Sequence, residues 1–173
     1  VSPFRERILR GIYYTRPSRA DDRRETPEVI VIHYRKGDLL QSEAEALVNC
    51  VNIVGVMGKG LALEFKRKYP AAFSAYRGLC KKEYLRMGQV HVFDRGALSD
   101  LPRYIINFPT KRHWRDLSRL ADIESGLAAL VAAVRYDKIG SIAVPALGCG
   151  EGQLNWKNVR PLRLVTNIST ALG

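Results

Sequence analysis

Short runs of β-branched and other apolar residues alternate with amphipathic segments along most of this 173-residue chain. The short runs are typical of buried strands, and the segments between them carry apolar residues at the spacing of one helix face. Strands that alternate with helices favour a three-layer α/β/α domain. The predicted strands are 29–34, 46–51, 89–93, 103–108 and 141–145, and the predicted helices are 61–69, 71–82, 118–135 and 156 to about 171.

Three residues mark where these elements are expected to begin or end. Pro70 suits the first turn of a helix, because the N–H that it lacks would have no partner there. Ser118 is a good N-cap, because its hydroxyl can accept a hydrogen bond from the first helical turn. Pro109 follows an apolar run and is expected to end that strand, because proline cannot donate to a ladder.

The first 28 residues differ in composition from the rest. They contain seven arginines and the charge run 21–25, with one apolar cluster from Ile8 to Tyr14. Such a composition favours disorder, so we expect a basic leader over residues 1–28, with at most one short helix. Residues 29–173 are long enough to bury a core and are expected to form one domain.

Composition narrows the class of protein further. No apolar run approaches the roughly 18 residues that a membrane span needs, and the N-terminus lacks the apolar core of a secretory signal. Cys50, Cys80 and Cys149 have no metal-binding spacing, and their odd number favours reduced thiols in a cytoplasmic protein. The formal net charge of +11 fits either a polyanionic partner or a solvated basic surface.

The most distinctive segment is 104–114, where a strand-like run leads into Thr110, Lys111 and further polar residues. Open α/β sheets build their sites just past the C-terminal ends of strands. A lysine at such a place is either a salt-bridged surface residue or a nucleophile and base. The chain has no nucleophile elbow and no zinc motif, so neither a metal nor a cofactor is expected.

Two glycine-rich loops also follow predicted strands, at 49–60 and 145–152. Glycines let backbone N–H groups approach a phosphate, so two facing loops could grip a diphosphate. Neither loop fits the P-loop or the dinucleotide fingerprint, and each could instead be a tight turn without a ligand. Asp38, Asn49 and Asn52 could bind adenine or ribose, or could cap the local backbone.

Taken together, these segments resemble a macrodomain, the ADP-ribose-binding fold, from residue 29 to about 171. Segment 105–114, which includes Lys111, is similar to the DarG branch of that family, whose macrodomain removes ADP-ribose from DNA. The resemblance implies a mixed central sheet with a final edge strand after the helix that contains Trp156, and no run before Gly173 supplies that strand. The matching pieces are 37–39, 46–52, 55–62, 105–114 and 147–150.

The resemblance also implies a role for each site residue. Lys111 would be catalytic, and Thr110 would help to place the substrate. The adenine would meet Asp38 and the amide of Leu39. The distal ribose would be held by Asn49, Asn52, Met57, Gly58 and Gly60, and the diphosphate by Leu147, Gly148, Cys149, Gly150, Glu151 and Gly152.

The implied function is hydrolysis of ADP-ribose from thymidine in DNA, by an antitoxin that counters a DNA ADP-ribosyltransferase. Its partners would be ADP-ribose, DNA with an exposed ADP-ribosylated thymidine, and a DarT-like toxin. A related branch, which acts on terminal ADP-ribose of proteins, has an aspartate where this chain has Gly152, beside Glu151, so the general acid is left open. Other interpretations are a non-catalytic ADP-ribose reader, a hydrolase of protein-linked or O-acetyl ADP-ribose, and a basic nucleic-acid-binding domain.

Overall fold

A computed structural model describes residues 9–15, 31–98 and 100–162 of the chain. The strands are β1 (Leu9–Thr15), β2 (Val31–Gly37), β3 (Ala46–Asn52), β4 (His91–Asp94), β5 (Tyr104–Lys111) and β6 (Ser141–Val144). They form a mixed sheet in the order β2-β1-β6-β3-β5-β4. Pairing is parallel between β3 and its neighbours β5 and β6, and antiparallel elsewhere.

Helices cover both faces of this sheet. Leu47 and Val48 are adjacent in β3, and their side chains point to opposite faces because a strand alternates. Leu47 packs with Phe65 of the first helix, whereas Val48 packs with Ile123 of the third. The expected three-layer architecture is therefore confirmed. The helices are α1 (Gly60–Lys68), α2 (Pro70–Lys81), α3 (Leu120–Tyr136) and α4 (Trp156–Val159), with a 3₁₀ turn at Leu39–Gln41.

The N-terminal strand β1 departs from the sequence prediction. It pairs antiparallel with both β2 and β6, so residues 9–15 belong to the sheet and the expected leader does not hold for them. The segment contains Ile12, two tyrosines and Thr15, which suit a strand, but composition alone does not reveal the two partner edges that order it. The other residues of 1–28 lie outside the described part.

The C-terminal end also differs from the prediction. Helix α4 ends at Val159 rather than continuing towards residue 171, because Pro161 has no N–H to extend the helical ladder. The expected absence of an edge strand falls on residues 163–173, outside the described part. None of the helices in the described ranges is long and apolar enough to cross a membrane.

Candidate active site

Four strands share one direction and end at the same edge of the sheet. β3 is parallel to β5 and β6, and β2 has the same direction because β1 is antiparallel to both β2 and β6. Asp38 follows β2, the first glycine-rich loop follows β3, and the second follows β6, while Lys111 is the last residue of β5. The predicted binding segments therefore meet where α/β sheets place their sites.

A β-bulge precedes Lys111. Strand β5 does not end at Pro109, as the sequence predicted, but continues to Lys111. Its pairing with β3 sets Val51 opposite Pro109 and then shifts, so that Asn52 lies opposite Lys111 and Thr110 is the extra residue. A bulge accommodates a proline that cannot donate to the ladder. Because one extra residue reverses the side-chain alternation, it turns Lys111 away from the face under α1 and α2.

The side chain of Lys111 bridges two loops. Its Nζ donates to the backbone carbonyl of Glu151 at 2.9 Å, in the second loop, and to that of Trp114 at 3.3 Å. An ammonium has three donors, so one N–H remains for a substrate. The neighbouring Arg112 is held by the carboxylate of Asp122 on α3, at 2.7 and 3.2 Å, so its charge is balanced there.

The second loop presents backbone donors that are left open within the described part of the chain. The N–H groups of Gly150, Glu151 and Gly152 have no hydrogen-bond partner among the described residues. Successive unpaired N–H groups are typical of anion-binding loops. This arrangement is compatible with the predicted contact to a diphosphate.

Gly152 sits where no larger residue fits. A Cβ built there would lie 2.1 Å from Oγ of Ser118 and 2.5 Å from the carbonyl oxygen of Gly148. Gly148 itself has a φ of +69°, a conformation that glycine adopts without steric cost. An aspartate at position 152, as in the related branch, would therefore displace the loop, and Glu151 is the nearest acidic side chain in the sequence.

Ser118 is a site residue whose role the sequence analysis missed. It was predicted to cap α3, but that helix begins at Leu120, and its N-cap, Arg119, makes no side-chain cap bond. Ser118 instead donates its backbone N–H to the carbonyl of Gly152 at 3.0 Å. It is only 7% exposed, and its Oγ has no hydrogen-bond partner within residues 9–15, 31–98 and 100–162. In the sequence, Ser118 looks like an ordinary helix N-cap. Only its packing against Gly152 in the folded protein shows that it belongs to the site.

The first loop is held by Asn52. Its Nδ2 donates to the carbonyl of Val56 at 2.7 Å, and its Oδ1 accepts from the N–H groups of Val54 and Val56 at 3.1 and 3.2 Å. The hydroxyl of Tyr76 on α2 also contacts Oδ1, at 3.1 Å. This is the local capping alternative of the sequence analysis, and the contact of Asn52 with ribose stays a prediction.

A buried polar relay lies below the first loop. Nδ2 of Asn49 donates to Oδ1 of Asn107 at 3.2 Å and to the sulfur of Met57 at 3.7 Å. Nδ2 of Asn107 in turn donates to Nδ1 of His91 at 3.2 Å, when that ring nitrogen is unprotonated. Burial lowers the pKa of His91, which agrees with an accepting Nδ1. Oδ1 of Asn49 is buried and finds no hydrogen-bond partner among the residues that the structure describes.

The remaining predicted residues show a mixture of exposure and burial. Asp38 is exposed, and its Oδ1 caps the 3₁₀ turn by accepting from Leu40 N at 2.9 Å. The side chain of Leu39 is buried in the core, and Thr110 donates weakly to the carbonyl of Val51 at 3.4 Å. Burial raises the pKa of Cys149, so its thiol is a poor nucleophile. Gly58 is exposed in the first loop, Gly60 begins α1, and the side chain of Leu147 is buried in the core.

The chain also matches known proteins. The Macro domain family model matches residues 48–162. The DNA ADP-ribosyl glycohydrolase of Mycobacterium tuberculosis is 53% identical over 136 residues, which are 79% of this chain and 38% of that protein. A DNA ADP-ribosyl transferase-DNA ADP-ribosyl glycohydrolase fusion protein of Thermosipho africanus is 40% identical over 141 residues, with 73% and 36% covered. The chain thus spans well under half the length of these relatives.

A solved structure agrees with the match to the Macro domain family model. The macrodomain of Mycobacterium tuberculosis DarG superposes with a TM-score of 0.73 at 51% identity, covering 79% of this chain and 88% of that one. The family model covers more than half of the present sequence. This chain therefore belongs to the macrodomain family.

Proposed function

We propose that this domain removes ADP-ribose from thymidine in DNA. The proposal rests on the position of Lys111. This residue ends β5, and its Nζ donates a hydrogen bond to the carbonyl of Glu151 in the second loop. The similarity of the chain to proteins named DNA ADP-ribosyl glycohydrolase supplies the substrate class. The net charge of +11 suits a substrate attached to a polyanion.

The binding assignment follows the geometry of the sheet edge. The unpaired N–H groups of Gly150, Glu151 and Gly152 would bind the diphosphate. The exposed carboxylate of Asp38 retains acceptor capacity beyond its bond to Leu40 N, which an adenine amine could use. A solved complex of Thermosipho africanus DarTG with ADP-ribose, 38% identical to this chain, supports ADP-ribose as the ligand.

The reaction breaks the bond between C1″ of ADP-ribose and a thymine ring nitrogen. The bonding electron pair stays on the thymine, which takes up a proton, and water finally adds to C1″. Lys111 has two possible roles in this step. As an ammonium it would stabilise the charge that develops on the base, and as a neutral amine it would attack C1″ and be released by water.

Replacement of Lys111 separates these roles. Lys111→Ala is expected to lower the rate by about 10²- to 10³-fold while ADP-ribose still raises the melting temperature, because only the folded state binds the ligand. Lys111→Arg keeps the charge but cannot act as a neutral amine. Activity close to wild type in Lys111→Arg would support the electrostatic role, and its loss would support nucleophilic attack.

The substrate is tested directly by incubating the wild-type protein with an oligonucleotide that carries ADP-ribosylated thymidine, and in parallel with an ADP-ribosylated protein. We expect release of ADP-ribose from the oligonucleotide. Release from the ADP-ribosylated protein, but not from the oligonucleotide, would identify the domain as a hydrolase of protein-linked ADP-ribose. Binding of ADP-ribose without any release would identify a reader, and full activity in Lys111→Ala would remove this lysine from the mechanism.

We further propose that the protein acts as an antitoxin against a DNA ADP-ribosyltransferase. The fusion of transferase and glycohydrolase in the Thermosipho africanus relative supports this pairing. Co-expression with a DNA ADP-ribosyltransferase should restore bacterial growth when the wild-type domain is present. Lys111→Ala should not restore it, and equal rescue by both proteins would indicate inhibition by binding rather than by hydrolysis.

A further inference from the structure

An exposed aromatic and cationic surface follows Lys111 directly. We call its members, His113, Trp114 and Arg115, the Trp114 platform. The side chain of Trp114 is 46% exposed, and its ring lies 5.0 Å from that of His113. The guanidinium carbon of Arg115 is 4.4 Å from the centroid of the Trp114 ring. An indole that stays so accessible contributes little to the core, so its position requires another explanation.

The platform is held in place relative to the candidate catalytic lysine. The carbonyl of Trp114 accepts from Nζ of Lys111 at 3.3 Å. The turn itself is closed by Asp116, whose carboxylate accepts from His113 N at 3.0 Å and whose N–H donates to the His113 carbonyl at 3.0 Å. Nδ1 of His113 also accepts from Arg115 N at 3.3 Å. A rigid turn therefore fixes the platform beside the site.

The charges on this segment indicate the chemistry of a partner. Arg115 and Arg119 are exposed, and the carboxylate of Asp116 is engaged by His113 N. The guanidinium of Arg115 lies over one face of the Trp114 ring. A nucleobase would therefore stack on the part of the indole that Arg115 and His113 leave exposed, and the guanidinium is placed to meet its phosphate. Stacking of this kind requires a base that has left the helical stack, because a base inside a duplex has both faces covered by its neighbours, and a base that leaves the stack also loses its pairing.

We propose that the Trp114 platform stacks an unpaired base that flanks the modified thymidine, with Arg115 contacting the phosphate between them. The proposal rests on the proposed function, because it names the DNA next to the reacting nucleotide. It makes single-stranded DNA, or a locally unpaired duplex, the form of substrate that the domain binds best. It also gives the basic charge of this segment a defined partner.

The first test compares two substrates of different length. Wild-type protein should cleave an ADP-ribosylated thymidine within a single-stranded oligonucleotide with a higher kcat/KM than ADP-ribosylated thymidine alone. Trp114→Ala should reduce the ratio of these two kcat/KM values about tenfold, within the range for loss of one stacked base. Tyr136→Ala is the matched control, because Tyr136 is an 88% exposed aromatic residue at the far end of α3. That helix has 17 residues and is about 25 Å long.

Each outcome of the kinetic test has a definite meaning. A reduced ratio in Trp114→Ala, with the ratio unchanged in Tyr136→Ala, supports the platform. An equal loss on both substrates would show that Trp114 acts through the position of Lys111, and an unchanged ratio would show that it does not meet DNA. Either result would overturn the inference while leaving the proposed hydrolase intact.

A binding measurement keeps the inference independent of activity. The chain has two tryptophans, so Trp156→Phe leaves Trp114 as the single fluorescent indole. An unmodified single-stranded oligonucleotide should quench this fluorescence, and the quenching should weaken as salt rises. If DNA quenches the fluorescence but the protein releases no ADP-ribose from the modified oligonucleotide, the proposed hydrolysis is refuted and the platform is not. Absence of quenching would refute the platform.

Discussion

The two glycine-rich loops of the site are held by different kinds of contact. The first loop takes its shape from Asn52, which bonds to residues two and four positions ahead in the chain. The second loop has local backbone bonds, donated by Cys149, Gln153 and Leu154. It is also tied to Lys111 and Ser118, and the contact from Lys111 to Glu151 spans 40 residues. Side chains from within the first loop shape it, whereas the side chain that bonds to the second loop comes from a distant strand.

Because of this difference, we expect the first loop to contribute mainly to stability and the second loop mainly to ligand binding. The first loop has satisfied side-chain bonds around Asn52, so we expect it to keep its shape without a ligand. Among the described residues, the N–H groups of Gly150, Glu151 and Gly152 and the hydroxyl of Ser118 have no hydrogen-bond partner. Gly150 and Glu151 are exposed, so their N–H groups are open to a ligand, whereas the buried hydroxyl of Ser118 costs free energy while it is unpaired. We therefore expect a bound diphosphate to stabilise this loop.

The largest effect on stability is expected from Asn52→Ala. The change removes the contacts that Asn52 makes to Val54, Val56 and Tyr76, and should lower the free energy of unfolding by about 3 kcal/mol. Urea denaturation measures this value. Tyr76→Phe is the control, because it removes the hydroxyl that contacts Oδ1 at 3.1 Å and the Asn52 carbonyl at 2.8 Å and leaves the bonds from Asn52 to Val54 and Val56 in place. A loss below about 0.5 kcal/mol would mean that other contacts shape the first loop.

A smaller loss is expected from Gly152→Ala. The added methyl would press on Ser118 Oγ and on the Gly148 carbonyl, and overpacking of this kind costs about 1–3 kcal/mol. Gly150→Ala is the matched control in the same loop, because nothing lies within 4 Å of its Cβ position. Equal melting temperatures for the two variants would contradict the close approach of Ser118.

Ser118→Ala is expected to raise the free energy of unfolding rather than lower it. It removes a buried hydroxyl that has no partner in the described part of the chain, so we expect the protein to become about 1 kcal/mol more stable. Chemical denaturation together with ADP-ribose affinity tests this prediction. Higher stability with weaker affinity would indicate that the hydroxyl serves the ligand. A marked loss of stability would reveal a bond to Oγ that forms in solution.

The smallest effect concerns pH and the relay below the first loop. Burial lowers the pKa of His91 in the folded protein below its ordinary 6.5. Between that lowered pKa and about pH 6.5, the unfolded chain therefore binds more protons than the folded protein. The stability contribution of neutral His91 is present in full above about pH 6.5 and is lost as pH falls through its folded pKa. His91→Gln should flatten this part of the stability profile, and an unchanged profile would exclude His91 as its source.

Much of the architecture could be predicted from local patterns. Alternating strand and helix signals place α1, α2 and α3, and β2 to β6, close to their observed positions, because each signal reflects burial of one face. The segment β1 was missed, because its strand character depends on the free edges of β2 and β6 between which it lies. Ser118 was misread as a cap for a similar reason, because its partner Gly152 is remote in sequence.

For the site, local sequence patterns were enough to identify the residues at the carboxyl ends of the strands, including Lys111, Asp38 and the two glycine-rich loops. Such positions follow from the lengths of apolar runs and from turn residues, which act locally. Tertiary structure alone decided that the bulge at Thr110 turns Lys111 towards Glu151, and that Ser118 leaves no room for a side chain at Gly152. These features depend on register and close approach between distant segments, which residue patterns along one segment do not specify.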